Sequence, residues 1–134
     1  DYVDLPGRVS NEFLFSALRT IDLGMACDPI NPYNDHCTMN KTLEYMAAHK
    51  PIVSTPVPDV VANWGHAVYV AEDAAGVIRA VEEVGAEGDA ARAARIAAYD
   101  EIVGRNTWDY IAAEMRRLIE EAFERRTSAE TARA

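Results

Sequence analysis

Apolar residues gather in short runs along the first part of the chain, and between the runs they recur every three or four positions. Residues 2–5 read as a weak strand closed by the turn pair Pro6-Gly7. Ser10 is placed to cap a helix in which Phe13, Leu14, Ala17, Leu18 and Ile21 keep helical spacing. Residues 23–27 form a buried-strand candidate ending at Asp28-Pro29; helix 38–49 follows, then a second apolar strand over 51–55. Pro56-Val57-Pro58 enforces an extended turn, Asp59 is placed to cap a short helix over 60–64, and 67–71 is a further strand. Helix 73–86 is amphipathic through Val77, Ile78, Val81 and Val84. Strands alternating with helices over short connections predict parallel pairing and a doubly wound, Rossmann-like α/β sheet.

After Gly88 the rhythm changes to two consecutive helices, 90–103 and 109–126, separated by 104–108. In the last, Ile111, Met115, Leu118 and Ala122 share one stripe, and the tail from Thr127 is small, polar and expected to fray. The expected organisation is a Rossmann-like domain over 1–107 and a C-terminal amphipathic helix with its tail over 108–134. The opening DYVDLPG reads as the end of a strand, so the expectation is an excised domain truncated at its N-terminus.

Composition narrows the function classes. Forty-nine percent hydrophobic and 26% charged residues is an ordinary globular balance. No apolar run approaches about 18 residues, so no membrane-spanning helix is expected, nor a signal peptide, and the cytoplasm is the expected location. A net charge of −9 argues against nucleic-acid binding and supplies no polybasic membrane patch. The charge is uneven: residues 1–71 hold eight acids and four bases, 72–134 fourteen acids and nine arginines. Cys27 and Cys37 lack neighbours at zinc-ligand spacing and read as free thiols.

The candidate chemistry sits in DPINPYNDHCTMNKTLEYMAAHKPIVST, residues 28–55. With Thr38 as N-cap, Lys41 falls in the first helical turn, where a capping box would carry Glu or Gln. A cation there opposes the helix dipole by a few tenths of a kcal/mol, a cost removed if an anion docks on the free amides. At about 100° per residue, Met39, Leu43, Met46 and Ala47 share a face expected to be buried. Lys41 and Glu44 lie together on the opposite side, close enough to pair. Two readings remain open here: a solvated face with one weak ion pair, or an anion and sugar site in which Glu44 accepts from a vicinal diol. In open parallel sheets the crevice beyond the strands' carboxyl ends is where ligands bind.

The order DP-x-NP-x-ND…TMNKTLEYMA…KPIVST closely resembles retaining glycosyltransferases of family 4, of GT-B architecture. The resemblance extends, more weakly, from residue 3 to about residue 110. It implies that this chain is the C-terminal half, which binds a nucleotide-sugar donor around an E-x7-E motif. The second glutamate falls on Glu44, whose implied role is to hold the ribose hydroxyls without transferring a proton. The first falls on His36, a departure from the pattern; Asp35, or the backbone of His36, Cys37 and Thr38, would take over the sugar contact. By the same resemblance the amides of Cys37, Thr38 and Met39 hold the diphosphate with Lys41, and the turn Gly7-Arg8-Val9 approaches the base. His49 stands where relatives usually carry the glycine of a helix C-terminus.

The implied reaction moves a hexosyl group from a nucleoside diphosphate, UDP, GDP or ADP, onto a hydroxyl acceptor in cell-surface polysaccharide or glycoconjugate synthesis. No metal and no cofactor is implied; the nucleotide-sugar is substrate. The acceptor domain and a basic pair would lie upstream of Asp1, any peripheral membrane contact would belong to the full-length protein, and the isolated chain is expected to turn nothing over. The alternatives are a GT-B nucleotide-sugar epimerase sharing this half, or a non-enzymatic flavodoxin- or receiver-like module. His36 as a general acid or base lacks a supporting carboxylate, His66 reads as a turn residue, and Ser54-Thr55 with Asp59 lacks a histidine for a triad. Trp64 and Trp108 are expected as packing anchors.

Overall fold

The computed structural model describes residues 3, 6–37 and 39–131, with side chains as far as residue 126. The expected strand over 2–5 and the Thr38 cap lie outside the described residues. Contacts divide the chain into residues 1–100 and 101–134.

The first unit begins with α1 (Asn11–Thr20), whose N-cap Ser10 accepts from the amide of Phe13 at 3.2 Å, as its sequence position predicts. β1 (Gly24–Ala26) enters the sheet with Gly24 beneath the ring of Tyr45, where a Cβ would lie 2.5 Å from Cγ. A side chain at this position would push the next helix, α2 (Asn40–Ala47), off the strand. That helix ends in a Schellman arrangement. The amide of Lys50 donates to the carbonyl of Tyr45 at 3.0 Å and that of His49 to Met46 at 2.8 Å. His49 is the left-handed residue at φ 56°, so the expectation at this position holds.

β2 (Ile52–Ser54) is the central strand and is buried along its length. It pairs in parallel with β1, Gly24 opposite Ile52, and with β3 (Tyr69–Val70), Val53 opposite Tyr69, giving the order β1-β2-β3. Buried on both faces, such a strand reads as a continuous apolar run, which is why it was visible. Between β2 and β3 runs α3 (Pro58–Trp64). Pro58, not Asp59, opens it: Val57 is the N-cap, and Asp59 lies in the first turn accepting from Asn63. α4 (Ala74–Gly85) starts at Asp73, whose Oδ1 accepts from the Gly76 amide at 2.6 Å. Val77 and Ala80 pack with Val53, Ala71, Leu23 and Tyr69 in a core cluster, while Ile78 and Val81 are exposed, so the inward face is narrower than the sequence pattern implied. The observed class is therefore α/β with a small parallel sheet.

α5 (Asp89–Gly104) contributes Tyr99, fully buried, to the core of the first unit. In the second unit, α6 (Trp108–Thr131) runs five residues past the helix end expected from the sequence. Its apolar residues Ile111, Met115, Leu118, Ile119 and Phe123 are exposed, and Arg117 pairs with Glu114 and Glu121. Trp64 is a buried anchor as expected; Trp108 is not, being 88% exposed at the head of that helix. Among the described residues, no helix is long and apolar enough to cross a membrane.

Candidate functional site

Because the sheet is parallel, the segments leaving β1, β2 and β3 emerge at one edge. The longest is the loop 27–39, which folds on itself. Asn31 Oδ1 accepts from the amides of Tyr33 and Asn34 at 3.0 Å each, and Asn34 Nδ2 donates to the Pro29 carbonyl at 2.7 Å. A 3₁₀ turn, Asn34–His36, follows and lies against α3. The amide of Cys37 donates to Asn34 at 3.2 Å and its thiol to the Tyr33 carbonyl at 3.2 Å. Both cysteines are free thiols.

The loop delivers the chain to the first turn of α2. Met39 is the N-cap and offers no capping oxygen, and the turn contains no acid. Among the described residues, then, no side chain caps the amides of Asn40 and Lys41. The inward face is set by Met39, Thr42 and Met46 rather than by Ala47, which is exposed. The helix is rotated by roughly half a residue step from the face the apolar pattern marked. A threonine inside that face, its hydroxyl buried without a hydrogen-bond partner among the described residues, is what the hydrophobic pattern could not anticipate.

Lys41 turns away from Glu44. Its Nζ lies 2.7 Å from Oδ1 of Asp28 and 2.7 Å from Oδ2, with hydrogen-bond geometry met at Oδ1. Asp28 is itself held at the strand ends: its amide donates to Ala26 at 3.1 Å, and its carbonyl accepts from the Thr55 hydroxyl at 2.6 Å. This corrects the dipole argument. A cation in the first turn of α2 already has a counter-ion, so stability alone accounts for it and no ligand is required. Glu44 is exposed one turn further on, clear of the ion pair.

The remaining sequence-derived candidates distribute unevenly. Asp35 and His36 sit in the 3₁₀ turn upstream of α2, with His36 exposed. The Cys37 amide is engaged within the loop and is not free for an anion without rearrangement, whereas Met39 lies at the helix start with its side chain buried. Thr38 is outside the described residues. Gly7, at φ 71°, Arg8 and Val9 are exposed, and no hydrogen bond or ion pair among the described residues joins them to the loop. Ser54 donates to the carbonyls of Ala26 and Thr55, and no histidine meets it. A cleft of about 350 Å³ beside the end of β3 sets Glu72, Asp73 and Glu83 against Arg79, a charge balance that opposes an anion. Among the described residues, no cluster of three His, Cys, Asp or Glu side chains is placed to hold a metal ion.

A second group of perturbed side chains lies at the opposite edge, where β2 begins. Arg95 grips Glu87 through Nε at 2.8 Å and Nη2 at 2.7 Å, both side chains more than nine-tenths buried, and also donates to the His49 carbonyl at 3.3 Å. The hydrogen bonds from Arg95 hold the Glu87 carboxyl below the usual range against the opposing effect of burial. Burial pushes the Tyr99 phenol, under the Arg95 guanidinium at 5.3 Å, up to about 12. This group fastens α5 to the turn between α2 and β2. Sequence reasoning missed it; its only trace was an arginine among the alanines of α5. Neither a protein-family model nor a curated protein matches this chain.

Proposed function

We propose that this chain is the donor-binding half of a retaining glycosyltransferase with a Rossmann-like sheet, binding a nucleoside diphosphate-sugar at the carboxyl edge. The observation that carries the reading is the first turn of α2. It brings amides that no side chain caps among the described residues and the Lys41 ammonium together beyond the end of β1 in a parallel sheet. Charge developing on a leaving diphosphate would be met there by the amides and by Lys41. Glu44, exposed on the same helix, is the acceptor for the ribose hydroxyls. The family 4 resemblance of residues 28–55 supports this assignment, and the hexosyl acceptor site belongs to a domain other than this one.

The test is titration of the chain with UDP, GDP and ADP, followed by backbone amide NMR. Shifts confined to residues 7–9 and 34–45 are expected, with Lys41→Met weakening binding about tenfold, as loss of one charge-assisted contact would. No response at millimolar nucleotide overturns the reading, and sugar transfer by this chain alone overturns the division of labour.

A further inference from the structure

We propose that the exposed stripe of α6 is the seam of a homodimer, in which the same helix of a second copy of this chain lies antiparallel against it. The seam draws on the second unit alone and is independent of the donor site.

Along α6, Trp108, Ile111, Met115, Leu118, Ala122 and Arg125 recur at alternating steps of three and four residues. That is the spacing of a two-helix seam, here about 27 Å long at 1.5 Å per residue. All six are exposed, Trp108 to 88% and Met115 to 58%. Ala112 and Ile119, also exposed, widen the apolar face on one side only. On the other side stand Glu114 and Glu121. Arg117, on the outer face of the helix, pairs with both and draws their carboxylates off the seam.

The stripe matches its own reverse, as a two-fold contact between identical copies requires. With Met115 opposite the partner's Leu118, Ile111 meets the partner's Ala122 and Ala112 the partner's Ile119, so each flanking pair sets a large side chain against a small one. At both ends the Arg125 guanidinium reaches the partner's Trp108 ring in a cation–π pairing. Arg125 makes no hydrogen bond or ion pair among the described residues, so it gives up none to do this. Parallel pairing fails the same comparison: it stacks Arg125 on the partner's Arg125 and turns Ile119 toward the partner's Glu114. A stripe shaped for an unrelated protein has no reason to complement its own reverse. Covering it on both copies buries on the order of 1,000 Å² in total, the lower end for a specific interface, so the dimer is weak, with Kd on the order of 10–100 μM.

Sedimentation equilibrium of the whole chain from about 5 to 500 μM, bracketing that Kd, should show a monomer–dimer equilibrium. Met115→Glu, an exposed position at the middle of the seam, should weaken it about tenfold or more. A second readout needs no variant. In a mixture of ¹³C-labelled and unlabelled parent chains, isotope-filtered NOEs should join the methyls of Ala112 and Ile119, which lie about two turns apart within one helix, too far for contact inside one copy. That arm decides the matter if Met115→Glu loses its helix by circular dichroism. A monomer at the highest concentration overturns the proposal and hands the stripe to a different protein segment. A dimer that a folded Met115→Glu leaves unchanged overturns it by placing the contact elsewhere, and NOEs joining Met115 to the partner's Met115 without the Ala112–Ile119 pair overturn it in favour of parallel helices.

Discussion

Replacing Arg95 by methionine while Glu87 remains isolates what holds the amino-terminal edge of the sheet. The guanidinium meets both carboxylate oxygens of Glu87, with side-chain exposures of 8% and 5%. Methionine preserves the stem and removes all three hydrogen bonds, including the one to the His49 carbonyl. A buried carboxylate stripped of its partner costs about 3–5 kcal/mol. Arg92, 3.7 Å from Oε2 and 56% exposed, supplies partial compensation, which places the expected loss near the lower limit, about 3 kcal/mol. Against a total of about 5–15 kcal/mol for a domain, that is a large fraction. Replacing both partners, Glu87→Gln with Arg95→Met, should cost much less than the sum of the singles, with a coupling of about 2 kcal/mol. Urea unfolding read by Trp64 fluorescence in a Trp108→Phe background confines the signal to the first unit, because Trp64 is buried there. The pair also fixes an acid dependence. The Glu87 carboxyl titrates lower folded than unfolded, so its contribution is present above about pH 4.5 and is lost as pH falls through the lowered folded value. The double variant should flatten that part of the profile. A single-variant loss below about 1 kcal/mol, or additive singles, would refute the assignment of the edge to this ion pair.

Two further outcomes follow from the same edge. Tyr99→Phe should leave stability at neutral pH within about 1 kcal/mol, because the buried hydroxyl meets no hydrogen-bond partner in good geometry among the described residues. Its phenol titrates at about 12 folded against 10.0 unfolded, so the parent should lose about 2–3 kcal/mol as pH rises from 10 to 12. Urea melts across that range check it; an equally steep alkaline loss in Tyr99→Phe would remove Tyr99 as the source. At the end of α2, His49→Gly should stay within about 0.5 kcal/mol, since relief of the left-handed backbone offsets the lost, exposed Asp100 contact. His49→Val should lose about 1–2 kcal/mol, and thermal melts showing the two variants equal would contradict a left-handed residue there.

How much was legible depended on the range of the interaction. The cores of β1, β2 and β3 lay inside the apolar runs; β2 is buried along its length, whereas Met25 of β1 and Val70 of β3 are apolar yet exposed. Ser10 and the left-handed His49 were legible too, since caps act over three or four residues. Burial on α2 and α4 was not: Ala47, Ile78 and Val81 are apolar yet exposed, and Thr42 is polar yet buried. Hydrophobicity marks a half-turn of candidates, and only the position of the sheet selects the contact line within it. The Glu87–Arg95 pair required knowing that α5 folds back under the start of β2, which no local spacing encodes.

Lys41 shows why the distinction matters for function. Within α2 its cation is out of place, and a helix considered alone demands an anion. The fold brings Asp28 across the end of β1 to answer that demand, 13 residues away in sequence. An unsatisfied charge in a local pattern is thus not yet a binding site; it becomes one if the internal counter-ion can be displaced. Here the counter-ion is tied to the strand ends through its backbone, one of its carboxylate oxygens is buried, and the lysine is the more exposed partner. Displacement must therefore supply both a new anion for Lys41 and enough contact elsewhere to offset a stranded Asp28. Only a ligand that reaches the amides of α2 as well as the ammonium meets both conditions.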